Sequence, residues 1–249
     1  MAGPMEQFAI KTLQPLMLAG HDVSFTNSAL WMAVATVAIA AFLFIGTARP
    51  QLVPGRMQAA VEYLYAFVRT MLDDKVGPEG RRFAPLIFTI FIFVLVCNLL
   101  GLIPWAGTFT PTSHVSVTFG LALIVFVTVC IVGFAKHGLH FFSLFWPAGT
   151  NVFIGAFVFV IEILSFLSRP FTLAIRLFAN MTAGHVLLQV FGGFVVALGS
   201  IGALPYVLGL VPLSVSVALC ALELLIAVVQ AYVFALLASL YLNDAINLH

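Results

Sequence analysis

The chain has 249 residues, of which 63% are hydrophobic and 8% are charged, with a formal net charge of +1 and a mean hydropathy of +1.17. This composition excludes a soluble globular domain and predicts an all-α polytopic membrane protein. A charge so close to zero gives no basis for nucleic-acid binding. The three cysteines stand singly, without the paired spacing of metal sites, so neither a metal nor a cofactor is expected.

The first half of the chain predicts three membrane-spanning helices after a polar and apolar tail at residues 1–26. Apolar runs follow at residues 27–47, 83–104 and 115–135. Each is about as long as a helix needs to be to cross a hydrocarbon core of ~30 Å. These runs are therefore interpreted as the first, second and third spans.

Residues 51–75 predict a helix of another kind. Apolar residues recur along one helical face, at Val61, Leu64, Tyr65, Val68 and Leu72, while charged residues interrupt the run. This pattern is typical of an amphipathic helix that lies in the membrane interface. A short water-soluble helix is the alternative, but the chain offers it little to pack on.

Two long apolar stretches end the chain, at residues 151–196 and 206–243. At a rise of ~1.5 Å per residue, each would be about twice as long as the bilayer is thick if it stood upright. Each stretch is either a hairpin of two short spans or one strongly tilted helix. Pro170, the turn signal inside the first stretch, favours a kink over a reversal. We therefore predict five spans within one membrane domain, residues 1–249.

Basic residues indicate the orientation of these spans. Loops on one side of the five-span arrangement carry Arg49, Arg56, Arg69, Lys75, Arg81, Arg82 and Lys136, whereas the other side carries Lys11 alone. Cytoplasmic loops are the ones enriched in lysine and arginine. The N-terminus is therefore expected outside and the C-terminus in the cytoplasm.

Arg176 is the strongest candidate for a functional residue. No lysine, arginine or acidic residue lies within six positions of it. Insertion scales put the cost of a guanidinium at the centre of a membrane helix at about 2.5–3.5 kcal/mol. A charge retained at that cost, and without a partner nearby in the sequence, indicates a functional site.

Seven-residue spacing relates several other polar residues to this arginine. Glu162, Arg169 and Arg176 are separated by sevens, as are Glu223 and Gln230. Seven residues turn a helix by nearly two full rotations, with a drift of only ~20°, so residues at this spacing share a face. Asn180 follows Arg176 by four residues on nearly the same face, whereas His185 follows it by nine and is expected on the opposite face.

The helix directions then predict two protonatable clusters with the arginine between them: Glu162 with Ser165 on the inner side, and Glu223, His185 and Asn180 on the outer side. Carboxylates and imidazole exchange protons readily. A guanidinium stays charged and cannot relay a proton. The alternative is that these polar groups form hydrogen bonds between helices, and it applies most to Ser165, Asn98 and Ser116.

Three motifs carry a family resemblance. They are Ile175-Arg-Leu-Phe-Ala-Asn-Met-Thr-Ala-Gly184, Asn98-Leu-Leu-Gly-Leu-Ile-Pro104, and Gln230-Ala-Tyr-Val-Phe234 followed by Leu240-Tyr-Leu242. Together they resemble subunit a of F-type ATP synthases, in its mitochondrial-like and alphaproteobacterial version. The resemblance covers most of residues 83–243.

The resemblance implies a proton-translocating stator subunit with two offset half-channels to a c ring, separated by Arg176. It implies that the outer half-channel contains Glu223, His185, Asn180 and Gln230, that the inner one contains Glu162 and Ser165, and that Arg169, Asn98, Ser116 and Tyr241 are further candidates. Partners would be the c ring, b-type subunits of the peripheral stalk, the rest of the synthase and the lipid bilayer. ATP chemistry would belong to other subunits, since the chain has no phosphate-binding GxxxxGK[ST] loop. The membrane would be a bacterial inner membrane, with the mitochondrial inner membrane as the alternative.

Two other functions remain open on sequence grounds. A secondary transporter could use Arg176 to bind an anionic substrate, but such transporters usually contain internal repeats with broken helices, which this sequence lacks. A purely structural membrane subunit is the third interpretation.

Overall fold

The structure, a computed structural model, describes residues 10, 12–15, 17–18, 21–22, 24–103, 109–146, 152–199 and 205–247. Within these ranges the chain forms six α-helices: α1 (Asn27–Thr47), α2 (Arg56–Lys75), α3 (Ala84–Gly101), α4 (Val115–His137), α5 (Val152–Gly199) and α6 (Pro205–Ile246). Turns of 3-10 helix occupy Pro78–Phe83, Pro111–Ser113 and Gly138–Phe145. Residues 104 and 151, at the edges of predicted spans, lie outside the described residues.

Five of the described helices are long and apolar enough to cross a membrane, namely α1, α3 with the preceding 3-10 turn, α4, α5 and α6. Their number confirms the predicted all-α polytopic fold with five spans. The second span is preceded by a 3-10 turn rather than by α-helix, because Pro78 and Gly80 stand in that segment. Helix α2 is not among the five.

Helices α5 and α6 are each continuous, with 48 and 42 residues. At 1.5 Å per residue they are about 72 and 63 Å long, roughly twice the thickness of a bilayer core. The hairpin alternative is therefore wrong for both stretches. Pro170 and Pro212 lie inside these helices without ending them. The strong tilt of the two helices in a membrane stays a prediction that follows from their length.

Glycines with positive φ end two of the helices. Gly77 (φ +80°) follows the end of α2, and Gly138 (φ +55°) follows the last residue of α4. A residue without a Cβ adopts this left-handed conformation at little cost, which is why glycine so often follows a helix. These two positions separate α2 from the second span and α4 from the 3-10 turn that follows it.

Helix α2 buries three residues of the predicted apolar face, Val61, Val68 and Leu72, but leaves Tyr65 37% exposed. The Tyr65 and Phe88 rings meet edge to face with centroids 5.4 Å apart, which joins α2 to α3. Gly46 near the end of α1 lets Val61 approach closely, since a Cβ at Gly46 would lie 2.6 Å from Val61 Cγ2. The amphipathic helix thus packs on its neighbours, and its place in the membrane interface stays a prediction.

The end of α2 is fixed by an ion pair. Arg81 donates to both carboxylate oxygens of Asp73, with Nε–Oδ1 2.8 Å and Nη2–Oδ2 3.2 Å. These hydrogen bonds hold the pKa of Asp73 below its ordinary value. A second ion pair joins Lys136 at the end of α4 to Glu79.

Short strands precede α1 in the tail. Strand β1 (Thr12–Gln14) pairs antiparallel with β4 (Phe25–Thr26), and β2 (Met17–Leu18) pairs antiparallel with β3 (His21–Asp22). The sequence analysis did not predict these strands. Two or three residues are too few to display a period of two, which is the signal of a strand.

The chain divides into two compact units. One contains, so far as they are described, residues 1–41, 93–114 and 177–231, and the other contains residues 42–92, 115–176 and 232–249. Helices α1, α3, α5 and α6 each contribute to both units. The division therefore marks no boundary along the sequence, and the single membrane domain stays a prediction.

Candidate functional site

A buried cluster of polar side chains lies in the first unit, where α5 and α6 meet. Glu223 on α6 is only 3% exposed and His185 on α5 is 8% exposed. Their closest atoms, His185 Nδ1 and Glu223 Oε1, are 3.5 Å apart. This distance is slightly longer than a direct hydrogen bond, and catalytic hydrogen bonds are often long in a resting structure. A carboxyl and an imidazole, 38 residues apart in sequence, are thus placed to exchange a proton.

The hydroxyl of Thr110 completes the surroundings of the imidazole. Thr110 Oγ1 lies 2.9 Å from His185 Nε2, so each ring nitrogen faces a polar group. Thr110 belongs to the segment between α3 and α4 and is itself buried. Three separate parts of the chain therefore contribute to this cluster.

Gly184 leaves the space against α5 that the Glu223 carboxylate occupies. A Cβ at this position would lie 2.8 Å from Glu223 Oε1 and 3.0 Å from Cδ. Any larger residue would push the carboxylate out of its place. A side chain at position 184 would collide with Glu223, which explains why the sequence motif has a glycine there.

A second polar pair joins the same two helices. Asn180 Nδ2 donates to Gln230 Oε1 at 2.9 Å. A pocket of ≈ 140 Å³ beside them is lined by Asn180, Gly184 and Glu223 together with apolar side chains. The two pairs Asn180–Gln230 and His185–Glu223 thus lie in the first unit, and their role as an outer cluster stays a prediction.

Several buried polar atoms of this unit have no hydrogen-bond partner within the described part of the chain. They are both carboxylate oxygens of Glu223, Oε1 of Gln189 and Nε2 of Gln230. Buried polar groups are otherwise nearly always paired with protein or water. An unpaired carboxylate is costly to ionise at such a place unless water enters. The region therefore combines one interhelical hydrogen bond, Asn180–Gln230, with buried polar atoms that no described residue satisfies.

Arg176 has a different environment from the cluster. It lies in the second unit and is exposed, and its guanidinium makes no hydrogen bond or ion pair with any residue that the structure describes. His185, nine residues further along α5, is buried. The contrast agrees with the half-turn offset expected from the helical period.

Arg169, one candidate of the sequence analysis, has an ion-pair partner. Its Nη1 donates to Asp244 Oδ2 at 2.7 Å, and its guanidinium lies 4.9 Å from the Tyr241 ring centroid and 5.3 Å from that of Phe166. Tyr241, a further candidate, thus contacts an arginine. Both residues connect α5 to α6 within the second unit.

The remaining candidates do not hydrogen-bond to one another. Glu162 is partly exposed and Ser165 is exposed, and neither side chain hydrogen-bonds to a described residue. Ser116 is also exposed and without such a bond. Asn98 is fully buried, with its amide 3.2 Å from the Ala227 carbonyl and its Oδ1 accepting from Thr112 at 2.8 Å. Asn98 therefore ties α3 to α6.

Four polar residues in these surroundings were not predicted from the sequence: Thr110, Gln189 and Asp244, and Thr112, which holds Asn98. A signal existed for Asp244, which follows Gln230 by 14 residues and continues the seven-residue series on α6. Gln189 follows His185 by four residues, about one helical turn, and this spacing would have put it on the same face as His185. The two threonines lie in a turn between spans, where polar residues are ordinary and carry no signal.

The fold and the buried carboxyl–imidazole pair define a polytopic membrane protein built to handle charge within the bilayer. Comparison with known proteins identifies the family. Residues 29–243 match the family described as ATP synthase A chain. ATP synthase subunit a of Mesorhizobium japonicum is 53% identical over 244 residues, which cover 98% of this chain and 96% of that protein. Its counterparts from Rhodospirillum rubrum and Paramagnetospirillum magneticum are each 49% identical over the full length of both chains. This chain belongs to the ATP synthase A chain family.

The Arg169–Asp244 contact predicts measurable coupling between the two residues. We expect Arg169→Gln and Asp244→Asn each to destabilise the solubilised protein, and the double variant to cost less than their sum. For a partly exposed pair the coupling should be about 0.5–1 kcal/mol. Equilibrium unfolding of the four proteins gives the free energies of unfolding that the comparison needs. Strictly additive effects would show that the ion pair does not form in the membrane protein.

Proposed function

We propose that the chain is the proton-translocating stator subunit of an F-type ATP synthase, a non-catalytic membrane subunit that couples proton flow to ATP synthesis carried out by other subunits. The observation that carries this proposal is the buried Glu223–His185 contact, 3.5 Å long, in a chain of this family. Ionisable side chains inside an apolar helix bundle are costly, and a carboxyl next to an imidazole is the kind of pair that proton-transporting proteins use there.

The outer half-channel is assigned to Glu223, His185, Asn180 and Gln230. Two contacts between α5 and α6 support the assignment, His185–Glu223 and Asn180–Gln230. The absence of a hydrogen bond from any described residue to the buried oxygens of Glu223 also supports it, because a group that takes up and releases protons needs room for water or for a moving partner. A proton arriving from outside would be held here before it passes to a carboxylate of the c ring.

The inner half-channel is assigned to Glu162 and Ser165. The support is the seven-residue series that puts Glu162 on one face with Arg169 and Arg176, together with its partial exposure. A partly exposed carboxylate with no hydrogen-bond or ion-pair partner among the described residues can receive a proton from a carboxyl group on another subunit. Arg169 is assigned a positioning role beside this path, since Asp244 holds its guanidinium.

Arg176 is assigned as the fixed charge that faces the carboxylates of the c ring. Its exposure and its lack of a described partner support this role, because a guanidinium at bilayer depth needs an anion. The adjacent Ile175 is an exposed apolar residue, as a surface that meets an apolar ring of helices requires. Attraction to Arg176 favours the ionised carboxylate, and neutral carboxyl groups alone enter lipid cheaply.

The chain acts within a complex of ATP synthase subunits, and we assign the c ring and b-type peripheral-stalk subunits as its direct partners. It is a multi-pass membrane protein, for which we propose the bacterial inner membrane, with the N-terminus periplasmic and the C-terminus cytoplasmic. The distribution of lysine and arginine supports this orientation.

Replacing Arg176 by alanine tests the central assignment. We expect proton-coupled ATP synthesis in membrane vesicles to fall by at least about tenfold, which corresponds to ~1.4 kcal/mol, while the complex still assembles. Arg56→Ala removes an exposed arginine at the start of α2 and serves as the matched control. Full coupling in the Arg176→Ala vesicles would refute the assignment.

Gly184→Ala tests the outer half-channel through its geometry. The added Cβ would displace the Glu223 carboxylate, from which it would lie only 2.8 Å. We therefore expect ATP-driven proton pumping to slow several-fold, that is by about 1 kcal/mol in the barrier. Gly192→Ala, on the same helix with nothing within 4 Å of the new Cβ, should pump normally. Equal rates for the two variants would exclude Glu223 from the path.

The orientation predicts where a reporter on the C-terminus is found. Fused to the end of the chain, alkaline phosphatase should stay inactive, because it folds only outside the cytoplasm, and a fluorescent protein that matures in the cytoplasm should be bright. An active phosphatase at this end would reverse the topology.

A further inference from the structure

The contact between Thr110 and His185 has no role in the path described so far. Thr110 Oγ1 and His185 Nε2 are 2.9 Å apart, and both residues are less than a tenth exposed. The other ring nitrogen, Nδ1, faces Glu223. The imidazole thus stands between a hydroxyl on one side and a carboxyl on the other.

Thr110 is held in this position by its neighbours. The Ser113 hydroxyl donates to the Thr110 carbonyl at 2.7 Å, and the Ser113 amide donates to the same oxygen at 3.1 Å. Gly101 at the end of α3 leaves the space that the side chain needs, since a Cβ there would lie 2.2 Å from Thr110 Oγ1. The hydroxyl therefore reaches His185 because the turn and the end of α3 fix it there.

The chemistry of a hydroxyl suits an imidazole that must pass a proton through. A neutral imidazole has one donor and one acceptor nitrogen, and moving a proton across the ring exchanges these roles. A hydroxyl can donate in one state and accept in the other, whereas a methyl group or a fixed cation cannot. When Glu223 accepts the Nδ1 proton, the hydroxyl gives its proton to Nε2 and takes the incoming proton from hydronium on its outer side, which becomes water, so that Thr110 ends unchanged.

We propose that Thr110 is a positioning residue of the outer proton path: it holds His185 with Nδ1 toward Glu223 and lets the ring exchange its tautomers. The proposal rests on the proposed function, because it presumes that His185 and Glu223 carry protons from the outer side. The segment that carries Thr110, between the second and third spans, lies on that side in the proposed orientation.

The test replaces Thr110 by valine, which keeps the shape and removes the hydroxyl, and by serine, which keeps the hydroxyl. Passive proton flow is measured in vesicles carrying the membrane sector alone, and is normalised to the amount of assembled complex. A positioned proton donor typically contributes 10²–10⁴-fold, so we expect Thr110→Val to lower the flow by at least about tenfold. Thr110→Ser should restore it to within about twofold of the original protein, a rescue that a purely space-filling role does not predict.

Thr112→Val is the matched control. Thr112 is a buried threonine two residues away whose hydroxyl donates to Asn98 and not to His185. Its removal should leave the flow per assembled complex within about twofold. Normal flow in Thr110→Val, or flow in Thr110→Ser as low as in Thr110→Val, would overturn the proposal.

Glu223→Gln in the same vesicles separates this proposal from the function on which it rests. If Glu223→Gln blocks the flow while Thr110→Val conducts normally, only the role of Thr110 is wrong. If Glu223→Gln also conducts normally, the outer path itself is wrong, and the role of Thr110 is overturned with it.

Discussion

The close approach of α5 and α6 at Gly184 is the constraint on which the candidate site depends. Because Gly184 has no side chain, the Glu223 carboxyl lies against α5 and comes within 3.5 Å of His185. The Asn180–Gln230 hydrogen bond joins the same two helices. Without the glycine, the carboxyl would lose its place next to the imidazole, and the two long helices could still pack but could not share a proton.

The polar groups around this contact differ in whether described residues hydrogen-bond to them. Asn98 is fully buried and satisfied by Thr112 and by the Ala227 carbonyl, as expected of a group that joins helices. Glu223 is as deeply buried, yet its oxygens lack hydrogen-bond partners in the described part of the chain. Low dielectric makes an unpaired group expensive. We infer that the buried Glu223 carboxyl serves proton exchange.

The sequence predicted much of the fold, because spans are encoded by apolar length, which needs no knowledge of packing. It predicted His185 and Glu223 together because the helix directions put them at similar depth. It could not predict Thr110, whose contact depends on how the turn after α3 folds back onto α5. Nor did it assign partners to Arg169, because Asp244 is 75 residues away and only packing brings the two together.

Arg169 and Arg176 show how one residue type can have two roles on one helix. They are seven residues apart on α5, so their sequence patterns look alike. Arg169 has an anion and two aromatic rings within the chain, whereas the Arg176 guanidinium has no ion pair with a described residue. The cost of a guanidinium at bilayer depth must be offset somewhere. For Arg169, groups of this chain offset that cost, namely the Asp244 carboxylate and the two aromatic rings. In the proposed function the anion for Arg176 comes from another subunit, and a carboxylate that arrives and leaves with rotation would neutralise the guanidinium without forming a permanent salt bridge.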